Sequence, residues 1–311
     1  TVFANYRVGF LGYLTHEKIE QMYGRDGNFG LDDQLTAVKW VNAHIADFGG
    51  DPQNITLMGQ SAGAISIQYL CLNKKNEGLF RRVIMMSGGG MFPKFALPRD
   101  HRQTREYWLE LMDVAGAGNF GQLKTMDIEK LSAAAEALKT SRKDTIYNTM
   151  PVVDGYLLPE PVDKLISDPI GVGYMLGVTN NDMYAPVLAF IGSRYGRANG
   201  AYIYYFDIDS PGDRNGAFHS CDLRYAFERL GESWRPYGER DREASSQLAD
   251  YLANYAKTGD PNGEGLPVWK RIGHGLSTAL VFGRKKTRMG RPLYLKLTHN
   301  MIRKGDPKAQ A

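Results

Sequence analysis

The chain has 311 residues, of which 43% are hydrophobic and 23% charged, enough to bury a large core and too balanced for a disordered chain. Its 38 basic and 34 acidic residues leave a formal charge of +4, and the one compact basic run, Arg284-Lys285-Lys286-Thr287-Arg288, has no aromatic platform beside it, so it reads as a solvated loop and not a nucleic-acid surface. Two cysteines, Cys71 and Cys221, exclude a disulfide framework and point to a reducing, cytoplasmic setting. No apolar run approaches the ~18–20 residues that span a bilayer.

Taken in chain order, Thr1 to Val8 reads as a buried β-strand followed by a turn at Gly9 to Gly12. Residue 1 is Thr, no leader pattern is legible there, and an opening inside a strand leads us to expect upstream sequence carrying the first strands of the sheet. Gly30 to Phe48 has helical spacing (Leu35, Val38, Val41, Ile45) and is stopped by Gly49-Gly50 and Pro52. Asn54 to Met58 is a short apolar strand, and Ser61 to Leu72 a helix. Phe80 to Ser87 is a buried strand closed by Gly88-Gly89-Gly90, read as a strand-ending turn. Helices are expected around 101–115, 127–139 and 242–257, and strands over Gly171 to Thr179 and Ala201 to Asp207. Lys304 to Ala311 reads as a frayed tail. Alternating strands and helices with near-continuous apolar strands imply an α/β fold, a mostly parallel sheet with helices on both faces. No repeat or Pro/Ser-rich linker divides it, so 1–311 reads as a single domain.

One motif carries chemistry. Ile55-Thr56-Leu57-Met58-Gly59-Gln60-Ser61-Ala62-Gly63 places Gly-x-Ser-x-Gly between a strand and a helix. An abrupt strand-to-helix turn strains the central residue and pushes its side chain clear of the sheet, and glycines let neighbouring backbone approach. The helix behind Ser61 aims its positive end at the site, and the Ala62 N–H is free for a developing oxyanion. Ser at a helix start is also a common N-cap, but the strand-turn-helix context is the one this motif needs.

Several separated stretches then give the chain a resemblance to the type-B carboxylesterase and cholinesterase family of α/β-hydrolases. They are Asn5-Tyr6-Arg7 with Gly9 and Gly12, Gly27-Asn28-Phe29-Gly30-Leu31-Asp32-Asp33-Gln34, Phe48-Gly49-Gly50-Asp51-Pro52, Pro151-Val152-Val153-Asp154-Gly155 and Lys257-Thr258-Gly259-Asp260-Pro261-Asn262. The resemblance implies an α/β-hydrolase fold and a serine esterase acting on a small-molecule ester without metal or organic cofactor. A serine hydroxyl needs an imidazole to take its proton and a carboxylate to orient that imidazole, in the chain order Ser, acid, His. Of six histidines, His16 and His44 precede Ser61, and His101 and His299 lie in charged or terminal surroundings. His219, in Gly216-Ala217-Phe218-His219-Ser220-Cys221-Asp222-Leu223, resembles the family's histidine block, with His274 as second choice. Asp182 stands where the family most often has Glu; Asp154 and Asp207 are alternatives, Asp154 reading better as a turn residue. The 37 positions from Asp182 to His219 are short for the family, leaving one helix around 184–195, and imply a more open gorge.

Gln60 replaces the Glu found in many relatives, which argues for neutral esters over cationic ones. The family's His-Gly-Gly-Gly-like loop, which would supply further oxyanion donors, would lie upstream; without such donors turnover is expected to fall by about 10²–10³ each. A catalytically silent binding or adhesion member, or an inactive fragment, is the alternative.

Overall fold

The computed structural model describes residues 1–90, 98–142, 149–183, 200–272 and 278–292. Short helices α1 (Gly9–Tyr13) and α2 (Glu17–Tyr23) precede the long α3 (Phe29–His44). Strand β1 (Thr56–Gln60), helix α4 (Ala62–Leu72) and strand β2 (Arg82–Met86) follow. Next come α5 (His101–Ala115), α6 (Phe120–Lys124), α7 (Ile128–Ser141) and α8 (Val162–Leu165). The chain continues through β3 (Gly173–Thr179), β4 (Ala201–Asp207), α9 (Asp222–Ala226), α10 (Glu239–Thr258), β5 (Ala279–Gly283) and β6 (Thr287–Gly290).

It divides into two compact units, Thr1–Trp40 with Leu97–Leu165 and Val41–Ala96 with Ile166–Ala311. The first division falls inside α3 instead of at a Pro- or Ser-rich linker, so the sequence carries no mark of it.

The second unit holds the sheet, ordered β1-β2-β3-β4-β5-β6, with the first five strands parallel and β6 antiparallel to β5. Val83, Ile84, Met85 and Met86 are all buried, as the apolar run requires of a strand covered on two sides. On one face Ile84, Met86, Met175, Tyr202, Tyr204, Phe206, Leu280 and Phe282 form a core with Ala244, Leu248, Tyr251 and Tyr255 of α10. The last four recur at three- and four-residue steps, the stripe a helix needs to lie on a sheet. The pleat turns Gly59 of β1 to the opposite face, where it meets Gly63 and Ile67 of α4. Helices therefore cover both faces, as the sequence predicts.

In the first unit α5 and α7 pack through Tyr107, Trp108, Leu111 and Met112 against Leu131, Ala134 and Leu138. Asn28, at φ 51°, clamps Val152 by both amide atoms: Nδ2 donates to its carbonyl and Oδ1 accepts its N–H, each at 2.8 Å.

Three expectations are corrected. Residues 1–8 are not a buried strand. They are exposed and join no ladder among the described residues. Val8 is extended (φ −130°, ψ 169°), so the β pattern is real, but what holds the segment is Arg7, whose backbone N–H and guanidinium both bind Asp33 of α3. The turn at Gly9 is instead the start of α1. The basic run is the expected exposed loop only over Arg284 to Lys286, where Arg284 pairs with Asp209 at 2.8 Å; Thr287 and Arg288 belong to β6. The expected helix at 184–195 and the tail at 304–311 lie outside the described residues. Among the described residues no helix is long and apolar enough to cross a membrane, and Cys71 and Cys221 are buried and free.

Candidate active site

Ser61, Asp182 and His219 all lie within the sheet-bearing unit. At the C-terminal end of β1 the chain turns into α4 at Ser61, whose φ of 54° and ψ of −119° place a non-glycine residue in strained backbone. The strain is held from several sides. Ser61 N–H donates to the Met86 carbonyl at 2.8 Å, and Ile65 N–H donates to the Ser61 carbonyl at 3.1 Å. A Cβ on Gly59 would lie 2.6 Å from the Gly63 carbonyl carbon, and one on Gly88 would lie 2.2 Å from the Ser61 carbonyl oxygen. Gly88 thus ends β2 and also admits the serine turn, a contact the sequence did not suggest. A Cβ on Gly63 would meet nothing within 4 Å, so there the glycine is not required by crowding. Ala62, exposed at the start of α4, presents its N–H among the helix's unpaired first-turn donors.

The loops after β3 and β4 bring the other two side chains. Asn181 N–H donates to the Ala217 carbonyl at 2.9 Å, its amide donates to the Asn215 carbonyl at 3.0 Å, and Asn181 and Phe218 form a parallel bridge. These contacts zip the Asp182 loop to the His219 loop. His219 Nε2 lies 2.9 Å from Ser61 Oγ, and His219 Nδ1 lies 2.9 Å from Asp182 Oδ2. The shorter acid reaches because the two loops are tied together. The Asp182 carboxylate is fully buried and the imidazole is 39% exposed.

The hydrogen bond to Asp182 raises the His219 imidazole above its ordinary range, against desolvation, which lowers it, and the charges of Asp182 and Asp222 add to the rise. Asp222 was missed as a site residue. It is fully buried behind His219 and accepts the Tyr204 hydroxyl at 2.7 Å on Oδ2. Burial pushes its carboxyl up to about 6. Only its place three residues after His219 could have flagged it.

The competing residues have partners of their own. Asp154 accepts the Tyr156 and Leu158 N–H groups in a turn, and Asp207 accepts the Asn180 amide. His16 caps α2 and His101 pairs with Asp26. His274 and His299 fall outside the described residues. Among the described residues no group of three or more His, Cys, Asp or Glu is disposed to hold a metal ion.

A mostly parallel sheet with a strained serine between its first strand and the following helix defines the α/β-hydrolase fold. A solved thermophilic PNB esterase superposes with a TM-score of 0.80 at 23% identity, covering 95% of this chain and 72% of that one. The model of the carboxylesterase family matches residues 1–185 and 183–299, and the chain belongs to that family. Carboxylesterase 5A of Canis lupus familiaris is 28% identical over 347 positions, covering 86% of this chain and 59% of that protein. Para-nitrobenzyl esterase of Bacillus subtilis (strain 168) is 33% identical over 184 positions, covering 58% of this chain and 36% of that protein. The chain therefore spans less than two thirds of the length of these relatives.

Proposed function

We propose that this chain carries the active site of a serine carboxylesterase that hydrolyses neutral carboxylic esters through an acyl-enzyme on Ser61. The observation behind the reading is the unbroken series of contacts from Asp182 through His219 to Ser61 Oγ, 2.9 Å at each step. As Ser61 Oγ bonds to the ester carbonyl carbon, its proton passes to His219 Nε2, and the carbonyl π-electrons move onto oxygen. The Ala62 N–H and the positive end of α4 face that oxyanion. Collapse breaks the bond to the alcohol oxygen, which takes the proton from Nε2 and leaves. Water then repeats the sequence on the acyl-enzyme, with His219 again accepting and returning one proton, so acid and free serine result. Asp182 holds the Nδ1–H tautomer and offsets the charge of the transient imidazolium.

Neutral substrates follow from Gln60, which puts an amide beside Ser61 where a carboxylate would attract a cation. The test is labelling with a neutral fluorophosphonate probe, located by peptide mapping. Modification at Ser61 that disappears in Ser61→Ala and in His219→Gln is the expected result. No labelling of a folded chain would instead favour a binding role for this family member or an inactive fragment.

A further inference from the structure

The turn that carries Ser61 gives His219 a second neighbour. Gln60 Nε2 lies 3.2 Å from His219 Nε2, the same ring nitrogen that Ser61 Oγ approaches to 2.9 Å. Among the described residues this nitrogen is the one hydrogen-bond partner of the Gln60 side chain. A neutral imidazole that gives its Nδ1–H to Asp182 has a single lone pair at Nε2. The Gln60 amide and the Ser61 hydroxyl both point donors at it. Once Nε2 is protonated it becomes a donor itself, and an amide can answer by turning half a revolution about its terminal bond to present Oε1. A carboxylate there could only accept, and an apolar side chain could do neither.

We propose that Gln60 is a positioning residue of this site, its amide holding the Nε2 edge of the His219 ring beside Ser61 in both protonation states. The proposal rests on the reading of Ser61 as nucleophile and His219 as base. Gln60 donates to the resting imidazole and accepts from the imidazolium without adding a charge. Among the described residues, the charged groups that act on the ring include Asp182 from the loop after β3 and Asp222 from its own segment, with Tyr204 of β4 bonded to Asp222. The serine turn contributes only neutral Gln60 and Ser61. The neutral amide thus leaves the ionisation of His219 under the control of the two aspartates.

The experiment is a histidine NMR titration of the full chain, with the His219 signal assigned by its loss in His219→Gln. It is run beside the pH dependence of p-nitrophenyl ester hydrolysis for wild type, Gln60→Glu and Gln60→Met. Urea unfolding confirms that each variant folds. Gln60→Glu is expected to move the His219 titration upward by about one pH unit or more, since an opposite charge comes to sit against the imidazolium. The acid limb of kcat/KM should move with it. Gln60→Met keeps the volume and removes both hydrogen-bonding roles. It should lower kcat about tenfold with little change in KM, the signature of a lost contact made during the reaction.

A His219 titration and a kcat identical in all three proteins would overturn the proposal. Displaced titration in Gln60→Glu without any Ser61 labelling would leave the Gln60–His219 contact standing and sink the serine reading. Ser61 labelling with an unmoved titration would do the reverse.

Discussion

A serine hydroxyl gives up its proton only to a base already in place, and in the proposed mechanism the base for Ser61 is His219, whose ring contacts a fully buried carboxylate. Asp182→Asn keeps the shape but allows the wrong imidazole tautomer, so kcat should fall by about 10³–10⁴-fold with KM nearly unchanged. Steady-state kinetics on a soluble p-nitrophenyl ester would show it. As the proposed base, His219 must be neutral to act, and its hydrogen bond to Asp182 raises the pH at which it loses its proton. The acid limb of kcat/KM should accordingly lie above the ordinary imidazole value of about 6.5, and a limb well below it would contradict the geometry. At this scale the strained turn at Ser61 and Ala62 was legible because one motif contains the whole signal. That His219 and Asp182 would come together beside Ser61 was legible through the blocks around them. Asp222 was not, because its burial depends on Tyr204, which another strand supplies. Nor was the Gln60 contact, which joins residues 159 positions apart.

Between elements, what holds the site is backbone in close approach. Gly88 ends β2 where the Ser61 carbonyl passes, so Gly88→Ala forces that carbonyl away. The expected cost is about 1–3 kcal/mol of stability together with a loss of Ser61 reactivity out of proportion to it, read by denaturation and probe labelling side by side. In the other unit, Asp26 is buried against His101 at 2.8 Å and Arg105 at 3.1 Å, and Arg105 also reaches Glu20. The Asp26 hydrogen bond raises His101. Burial pulls Asp26 upward, but the hydrogen bond and charge of His101 and the charge of Arg105 outweigh it and leave the carboxyl below its usual range. The raised His101 stabilises the fold fully below about pH 6.5 and loses that contribution as pH rises through its folded value. The depressed Asp26 contributes above about pH 4 and loses its share on acidification. The stability difference between wild type and His101→Gln should therefore be largest near pH 5–6 and shrink in alkaline buffer, measured by urea unfolding at several pH values. Strand periodicity read β4 to the residue, yet it misread residues 1–8: the pattern reports an extended backbone, and there Arg7 bonds Asp33 of α3 in place of a ladder partner. Strands β5 and β6 went unread because a basic hairpin, Arg284 to Lys286, sits between two short apolar pieces.

Across the whole chain, the family's sequence blocks are mostly devices of folding. Asn28 clamps Val152, so two blocks more than a hundred positions apart are one hydrogen-bonded feature. Asn262 holds both backbone groups of Trp269, whose indole N–H then reaches the Ile203 carbonyl inside the sheet core. Composition and alternation were enough to give the parallel sheet covered on both faces; the division into two units was not legible, since it passes through a continuous helix. Each unit has its own packed core. Truncating the sheet-side core should act on the site from a distance. Leu248→Ala, at a fully buried position of α10, is expected to cost about 2–5 kcal/mol by chemical denaturation. Any Ser61 labelling that survives should weaken in step with the folded fraction.

The central claim is that Asp182, His219 and Ser61 act together to make one hydroxyl attack an ester carbonyl. Mass spectrometry of the chain after acid quenching of its reaction with a p-nitrophenyl ester tests this directly. One acyl group on the peptide containing Ser61, absent from Ser61→Ala and scarce in His219→Gln, is the predicted result. An acyl group found elsewhere, or an equal adduct when His219 is removed, would contradict it.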